Sequence, residues 1–283
     1  MTQDNPEIGR SVRTGPFDTN VHDWDESGDV GLSIPTLLIH GSGPGVSAWA
    51  NWRLVLPEVA KHGRVIAPDM VGFGFSDRPD AITYGKAVWV QQVLDLLDAL
   101  GLVKVNLVGN SFGGAISLAF AIAHPERVAR LALMGSVGVS FPITEGLDAV
   151  WGYEPSFEAM RGLLDLFAFD RTLVNDELAD LRYRASIRPG FQESFSAMFP
   201  APRQTGVEAL ASPEEAIAAL PHETLILHGR DDRVIPLATS ETLHRLISRS
   251  QLHVFGRCGH WVQIEHRDRF CRQLVDFLKE GEA

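Results

Sequence analysis

Val105-Asn106-Leu107-Val108-Gly109-Asn110-Ser111-Phe112-Gly113-Gly114-Ala115-Ile116 is the stretch on which the fold turns. An apolar run, 105–108, leads into Gly109-Asn110-Ser111-Phe112-Gly113, and a helix-forming stretch, 112–123, follows. The pattern Gly-x-Ser-x-Gly arises often by chance in glycine-rich turns. Between a strand and a helix it has a specific meaning: a tight turn that lifts the serine to its apex and needs small residues on either side. Ser111 then stands at a helix N-terminus, where free N–H groups and the helix dipole favour developing negative charge. Ser111 is therefore the expected nucleophile, and the N–H of Phe112 the expected first oxyanion donor.

Similar apolar runs occur at 36–40, 64–68, 131–134, 224–228 and 252–255, with helix-like segments between most of them. The clearest helix is 88–100, where Val90, Val93, Leu94, Leu97 and Leu100 fall on one face and Gly101 is placed as a C-terminal cap. Strand alternating with helix predicts an α/β chain with a mostly parallel, twisted sheet covered by helices on both faces. The alternation fails between Gly138 and Ser212, and ten aromatic residues fall within 141–199. Residues 138–212 are read as an inserted helical lid over the C-terminal edge of the sheet, where open α/β sheets bind ligands. Residues 1–137 and 213–283 form the core domain.

A serine nucleophile needs a base, and the base needs an acid that fixes its tautomer. The run 224–228 is followed by Gly229-Arg230-Asp231-Asp232-Arg233-Val234-Ile235-Pro236. Asp232 fits the acid position better than its neighbour Asp231. The run 252–255 is followed by Gly256-Arg257-Cys258-Gly259-His260, the only histidine on the short loop after the last strand. His40 and His228 end earlier strands and read as hydrogen-bonded structural residues. After 36–40, Gly41-Ser42-Gly43-Pro44-Gly45 forms the other wall of an oxyanion hole. No Gly-Lys-Ser/Thr follows, so this loop is not a P-loop, and Gly72-Phe73-Gly74 fails as a dinucleotide fingerprint because Asp77 holds the third glycine position.

The chain has 283 residues, 45% hydrophobic and 22% charged, as in an ordinary soluble enzyme. Its net charge is −11 without a run of Lys and Arg, which disfavours nucleic acid. A small anionic substrate would need its own local cation. The polar N-terminus shows no signal peptide, no apolar stretch is long enough to span a bilayer, and a cytoplasmic location is expected. The two cysteines, Cys258 and Cys271, read as reduced thiols in apolar surroundings. No metal or cofactor is expected.

Several stretches resemble the meta-cleavage product hydrolases, which are α/β-hydrolases that cleave carbon–carbon bonds in ring-fission products of catechols. They are Ile39-His40-Gly41-Ser42-Gly43-Pro44-Gly45, Ala67-Pro68-Asp69-Met70-Val71-Gly72-Phe73-Gly74, Gly109-Asn110-Ser111-Phe112-Gly113-Gly114, Ser186-Ile187-Arg188-Pro189-Gly190 and Cys258-Gly259-His260-Trp261. Gly146-Leu147-Asp148-Ala149-Val150-Trp151-Gly152-Tyr153 and Phe199-Pro200-Ala201-Pro202-Arg203-Gln204 resemble the branch acting on 2-hydroxymuconic semialdehyde.

The resemblance implies an α/β-hydrolase fold, a small anionic dienoate substrate and a homo-oligomer. It implies Ser111, Asp232 and His260 as the triad, and Ser42 and Phe112 as the oxyanion hole. Gly41, Asn51, Asn110, Arg188 and Trp261 would contact the substrate, with Arg188 on its carboxylate. Asn51 reads equally as a helix cap. Val137, Leu147, Val150, Trp151, Val234 and Ile235 would line the subsite for the distal substituent, though as apolar residues they also read as core. A carboxylesterase with the same triad, or a non-catalytic ligand receptor on this fold, stays open at this point.

Overall fold

A computed structural model describes residues 5–28 and 31–280; residues 1–4 of the polar N-terminal stretch lie outside these. One sheet contains eight strands: β1 (Arg10–Thr14), β2 (Phe17–Trp24), β3 (Leu32–Ile39), β4 (Gly63–Pro68), β5 (Val105–Asn110), β6 (Val128–Met134), β7 (Thr224–Gly229) and β8 (Ser250–Phe255). Their order across the sheet is β1-β2-β4-β3-β5-β6-β7-β8. β1, β2 and β4 pair antiparallel, and every pairing from β4 through β8 is parallel. All six residues of β5 and of β7 are buried, as expected for central strands covered on both faces.

The six parallel strands are those expected from the apolar runs. β1 and β2 were not expected. Their inward residues are mostly polar: beside Val12 and Val21, Thr14, Thr19, Asn20 and His22 are all buried. Thr14 pairs with Thr19 at 2.6 Å and Asn20 Nδ2 donates to Asp69 at 2.8 Å. Such strands carry no apolar alternation for a reader to find.

Before β6 the helices are α1 (Ala48–Trp52), α2 (Leu56–Ala60), α3 (Lys86–Ala99) and α4 (Phe112–Ala123). The face of α3 that meets the core is Trp89, Val93, Leu96 and Leu97; Val90, Leu94 and Leu100 of the expected face are half-buried beside it. Gly101 ends the helix at φ 65°, with its N–H on Asp98 and that of Leu102 on Leu97 (2.8 Å), closing the last carbonyls. Between β6 and β7 come α5 (Glu145–Trp151), α6 (Phe157–Phe167), α7 (Asp176–Ser186), α8 (Phe191–Met198), α9 (Gln204–Leu210) and α10 (Glu214–Ala218). The last three are α11 (Leu237–Leu246), α12 (Val262–Glu265) and α13 (Arg267–Lys279). One apolar cluster joins α3, α4 and the inserted helices on one face of the sheet. A second joins Trp52, Leu56 and Val59 to Phe270, Leu274 and Phe277 on the other. Cys258 and Cys271 are both free and buried. No helix among the described residues is long and apolar enough to cross a membrane.

Candidate active site

β5 delivers Ser111 in a sharp turn. Its φ of 54° and ψ of −114° lie where a non-glycine residue is strained, which costs on the order of 1–3 kcal/mol. The surroundings over-determine it. Ser111 N–H donates to Met134 (2.8 Å), and its carbonyl accepts from Val137 (3.2 Å). The glycines are forced by contact: a Cβ on Gly109 would come 2.3 Å from the Gly113 carbonyl oxygen, and one on Gly113 would come 2.3 Å from that of Ile39.

The loop after β7 separates the two aspartates. Asp232 is wholly buried. Its Oδ2 accepts from His260 Nδ1 at 2.7 Å, and its Oδ1 accepts from the N–H groups of Val234 (2.8 Å) and Ile235 (3.0 Å). Burial would raise its carboxyl, but His260, His228 and the loop N–H groups outweigh it and hold the group below the ordinary range. Asp231 points elsewhere, toward the Cys258 N–H at 3.3 Å. His228 leans on the same acid, with Nε2 3.5 Å from Asp232 Oδ2, and is otherwise held by Ile235 and Ser240. His40 is equally structural. Its Nδ1 donates to Gly41 and its Nε2 accepts from Met70, while burial pulls it down to about 4.

Because the Nδ1–H of His260 is donated to Asp232, its Nε2 is left as the basic nitrogen. Ser111 and His260 stand on the wall of one cavity of about 690 Å³. The inserted helices grip the histidine loop. His260 N–H donates to Phe167 at 2.7 Å, and the Phe167 ring stacks on Trp261 at 5.2 Å. Glu265 ties the two sides together. It accepts from Gly259 on the core side and from Phe169 and Asp170 on the inserted side, at 2.7, 2.9 and 2.8 Å.

Opposite the elbow, a Cβ on Gly41 would lie 2.9 Å from Asn110 Oδ1 and 3.4 Å from Ser111 Cβ, so only glycine allows this approach. Among the described residues, no backbone carbonyl accepts from Ser42 N–H or Phe112 N–H. Phe112 N–H is free of a backbone acceptor because it opens α4. Asn51 lies inside α1, whose cap is Ser47, so its reading as a cap does not hold. Its Oδ1 accepts from Gly41 N–H (3.2 Å), which leaves Nδ2 buried without a partner on the cavity wall.

Gly41, Ser42, Asn51, Asn110, Leu147, Val150, Val234 and Trp261 share that wall with Ser111 and His260. Arg188, Val137, Trp151 and Ile235 do not. Val137 and Ile235 are wholly buried behind it, their N–H groups spent on Ser111 and Asp232. Trp151 turns its indole N–H onto Ser42 Oγ at 3.0 Å. Arg188 lies beyond the end of α7 and forms an ion pair with Glu7, at 3.1 and 3.3 Å. The arginines that do reach the wall are Arg53, Arg182 and Arg184, and the cap residue Asn175 joins Leu178 and Arg182 of α7 there. The expected cation Arg188 therefore does not lie on this wall, whereas Arg182 does.

Residues 35–267 match the model of the alpha/beta hydrolase fold family. The chain is 65% identical over 281 residues to 2-hydroxymuconate semialdehyde hydrolase of Pseudomonas sp. strain CF600, covering 99% of this chain and 97% of that one. It is 64% identical to 2-hydroxy-6-oxo-2,4-heptadienoate hydrolase of Pseudomonas putida strain F1, covering 98% and 99%. The meta-cleavage product hydrolase CumD of Pseudomonas fluorescens IP01, crystallised with acetates, superposes with a TM-score of 0.94 at 58% identity, over 98% of this chain and 100% of that one. The chain belongs to the meta-cleavage product hydrolases.

In this hydrolase the charge around the cavity is unlike that of the molecule. Arg53 and Arg182 both line it. Among the described residues their hydrogen bonds go to the carbonyls of Ala50 (2.7 Å) and Pro44 (3.2 Å), not to a carboxylate. Burial draws Arg182 down to about 10, still protonated at neutral pH. Glu7 answers Arg188, so three guanidinium groups surround one carboxylate in a chain of net charge −11. Sequence reasoning missed Arg53 and Arg182, as it missed Gln263, whose buried Oε1 has no partner and whose side chain lines the hydrolase cavity. The helical spacing 175, 178, 182 was the signal available for Arg182.

Proposed function

We propose that this chain hydrolyses the carbon–carbon bond of 2-hydroxymuconic semialdehyde and related 2-hydroxy-6-oxo-hexa-2,4-dienoates. The products are 2-hydroxypenta-2,4-dienoate and formate, or a short carboxylic acid when the substrate is a ketone. One observation carries the reading: the cavity that holds Ser111 and His260 also holds Arg182, which hydrogen-bonds the Pro44 carbonyl and makes no direct ion pair among the described residues although Glu7 is near, and Asn51 with an unsatisfied buried donor. A neutral ester leaves both idle; a carboxylate with a neighbouring oxygen uses both.

The substrate carboxylate lies against Arg182, with Asn51 and Asn110 on the 2-oxygen, and Leu147, Val150, Val234 and Trp261 enclose the distal end. Ketonisation of the dienol makes the chain an electron acceptor. Ser111 then adds to the distal carbonyl as His260 takes its proton, and the oxyanion falls to the N–H groups of Phe112 and Ser42. Cleavage sends the bonding pair into the dienoate fragment, leaving an acyl group on Ser111 for water to remove. His260 can equally activate that water for direct addition, and the two routes part at the acyl-enzyme. We take residues 138–212 as the lid, since α5, α6 and α7 supply much of the wall, whereas α10 packs on α4 and α11. A homo-oligomer rests on the family resemblance, and light scattering decides it.

The test compares the dienoate with a neutral nitrophenyl ester. The reading predicts a higher kcat/KM on the dienoate and an Arg182→Gln loss confined to it. Fast ester turnover with an inert dienoate would make the chain a carboxylesterase.

A further inference from the structure

We infer that Trp151 is a positioning residue for the oxyanion side of the site: its indole N–H fixes Ser42 as a hydroxyl donor aimed into the cavity. The inference rests on the carbon–carbon hydrolase reading.

Trp151 Nε1 lies 3.0 Å from Ser42 Oγ. An indole N–H only donates, so the Ser42 oxygen must accept. Its own proton then has to point elsewhere. Among the described residues Ser42 Oγ has no other hydrogen bond, and Ser42 lies on the cavity wall beside Gly41. The open direction is the substrate. A free serine hydroxyl could accept or donate there. With Trp151 on one lone pair its proton is left to be given into the cavity, and a hydroxyl that is itself accepting is a stronger donor.

The indole cannot swing away to release it. Trp151 is 2% exposed and stacks on Phe199 with centroids 4.5 Å apart and planes 6° from parallel. Its ring edge passes Gly206 so closely that a Cβ there would sit 3.0 Å from it. Trp151 is the last residue of α5, a helix of the inserted segment, whereas Ser42 belongs to the core loop after β3. Seating of the insertion therefore completes the oxyanion side of the site. Trp151 itself is absent from the cavity wall, which separates this role from that of a pocket-lining side chain.

Trp151→Phe removes the N–H and keeps a ring to stack on Phe199. On the dienoate we expect kcat to fall about tenfold with KM within about twofold, because the donor matters most as charge develops. Ser42→Ala should lose at least as much, and the double variant should be no slower than Ser42→Ala alone. A Trp151→Phe enzyme at wild-type kcat, one changed in KM alone, or a double variant whose losses multiply would each overturn the inference. A second readout does not need turnover: the Trp151 indole ¹H–¹⁵N resonance, sequentially assigned, should shift and exchange faster in Ser42→Ala. An unmoved resonance removes the contact. If the wild-type protein leaves the dienoate untouched, the functional reading fails, while the resonance still decides the contact.

Discussion

Asp231 and Asp232 are adjacent and chemically identical, and only their surroundings assign them roles. Asp232 is enclosed by His260, His228 and two loop N–H groups, whereas Asp231 is part-exposed beside Arg230. Asp232→Asn should lower kcat about 10⁴-fold by presenting the wrong tautomer of His260, as the template triad does. Asp231→Asn should stay within about twofold. Steady-state assays of both variants check this. Arg182→Gln should lower kcat/KM on the dienoate about 10–100-fold, the worth of a hydrogen bond to a charged group. Arg188→Gln, which breaks the Glu7 pair and removes the guanidinium from the Phe75 and Phe191 rings but does not touch the cavity wall, should lose far less. The position of Asp232 after the glycine was legible in the sequence. The place of Arg182 on the cavity wall was not, because the motif Ser-Ile-Arg-Pro-Gly drew attention to a residue beyond the end of the helix.

His40 gives a pH prediction at the same scale. It is held at about 4 in the folded chain, against 6.5 ordinarily, so the unfolded chain binds the extra proton between those values. The stability this contributes is complete above 6.5 and drains away as the pH falls toward 4. The destabilisation caused by His40→Asn should therefore be about 2 kcal/mol smaller at pH 5 than at pH 7. Urea titrations of both proteins at the two pH values measure it, and an equal difference at both would contradict it.

Among the elements, the turn from β5 into α4 was the most legible, because steric need and sequence agree there. Gly113→Ala should fail to fold or melt far lower, since the added carbon meets the carbonyl oxygens of Ile39 and His40 at 2.3 and 2.5 Å. Thermal melting, with circular dichroism for the fold, is the check; a near-wild-type melt would show that the two strands can part. β1 and β2 were illegible for the opposite reason. Most of their buried residues are polar, and their partner strand lies far along the chain, as Val21 beside Pro68 shows. The turns of α3 were read correctly, but its face was rotated toward Trp89 and Gln92, where Gln92 accepts from Val71 N–H in the interior. A glutamine at a core position is invisible to an apolar pattern.

For the whole molecule, the sheet places three residues from distant parts of the chain at one edge, and the inserted helices close over them. The insertion contributes contacts that no local pattern announces: Phe167 on His260, Glu265 bridging two loops, Trp151 on Ser42. The central claim is carbon–carbon hydrolysis by Ser111 in a cavity made for a carboxylate. Its most direct test is to mix the protein with the yellow ring-fission product of catechol, follow the visible absorbance, and quantify formate. The account predicts rapid bleaching with one formate released per substrate, and near-total loss of both in Ser111→Ala. Bleaching without formate, or a Ser111→Ala protein as fast as wild type, would contradict it.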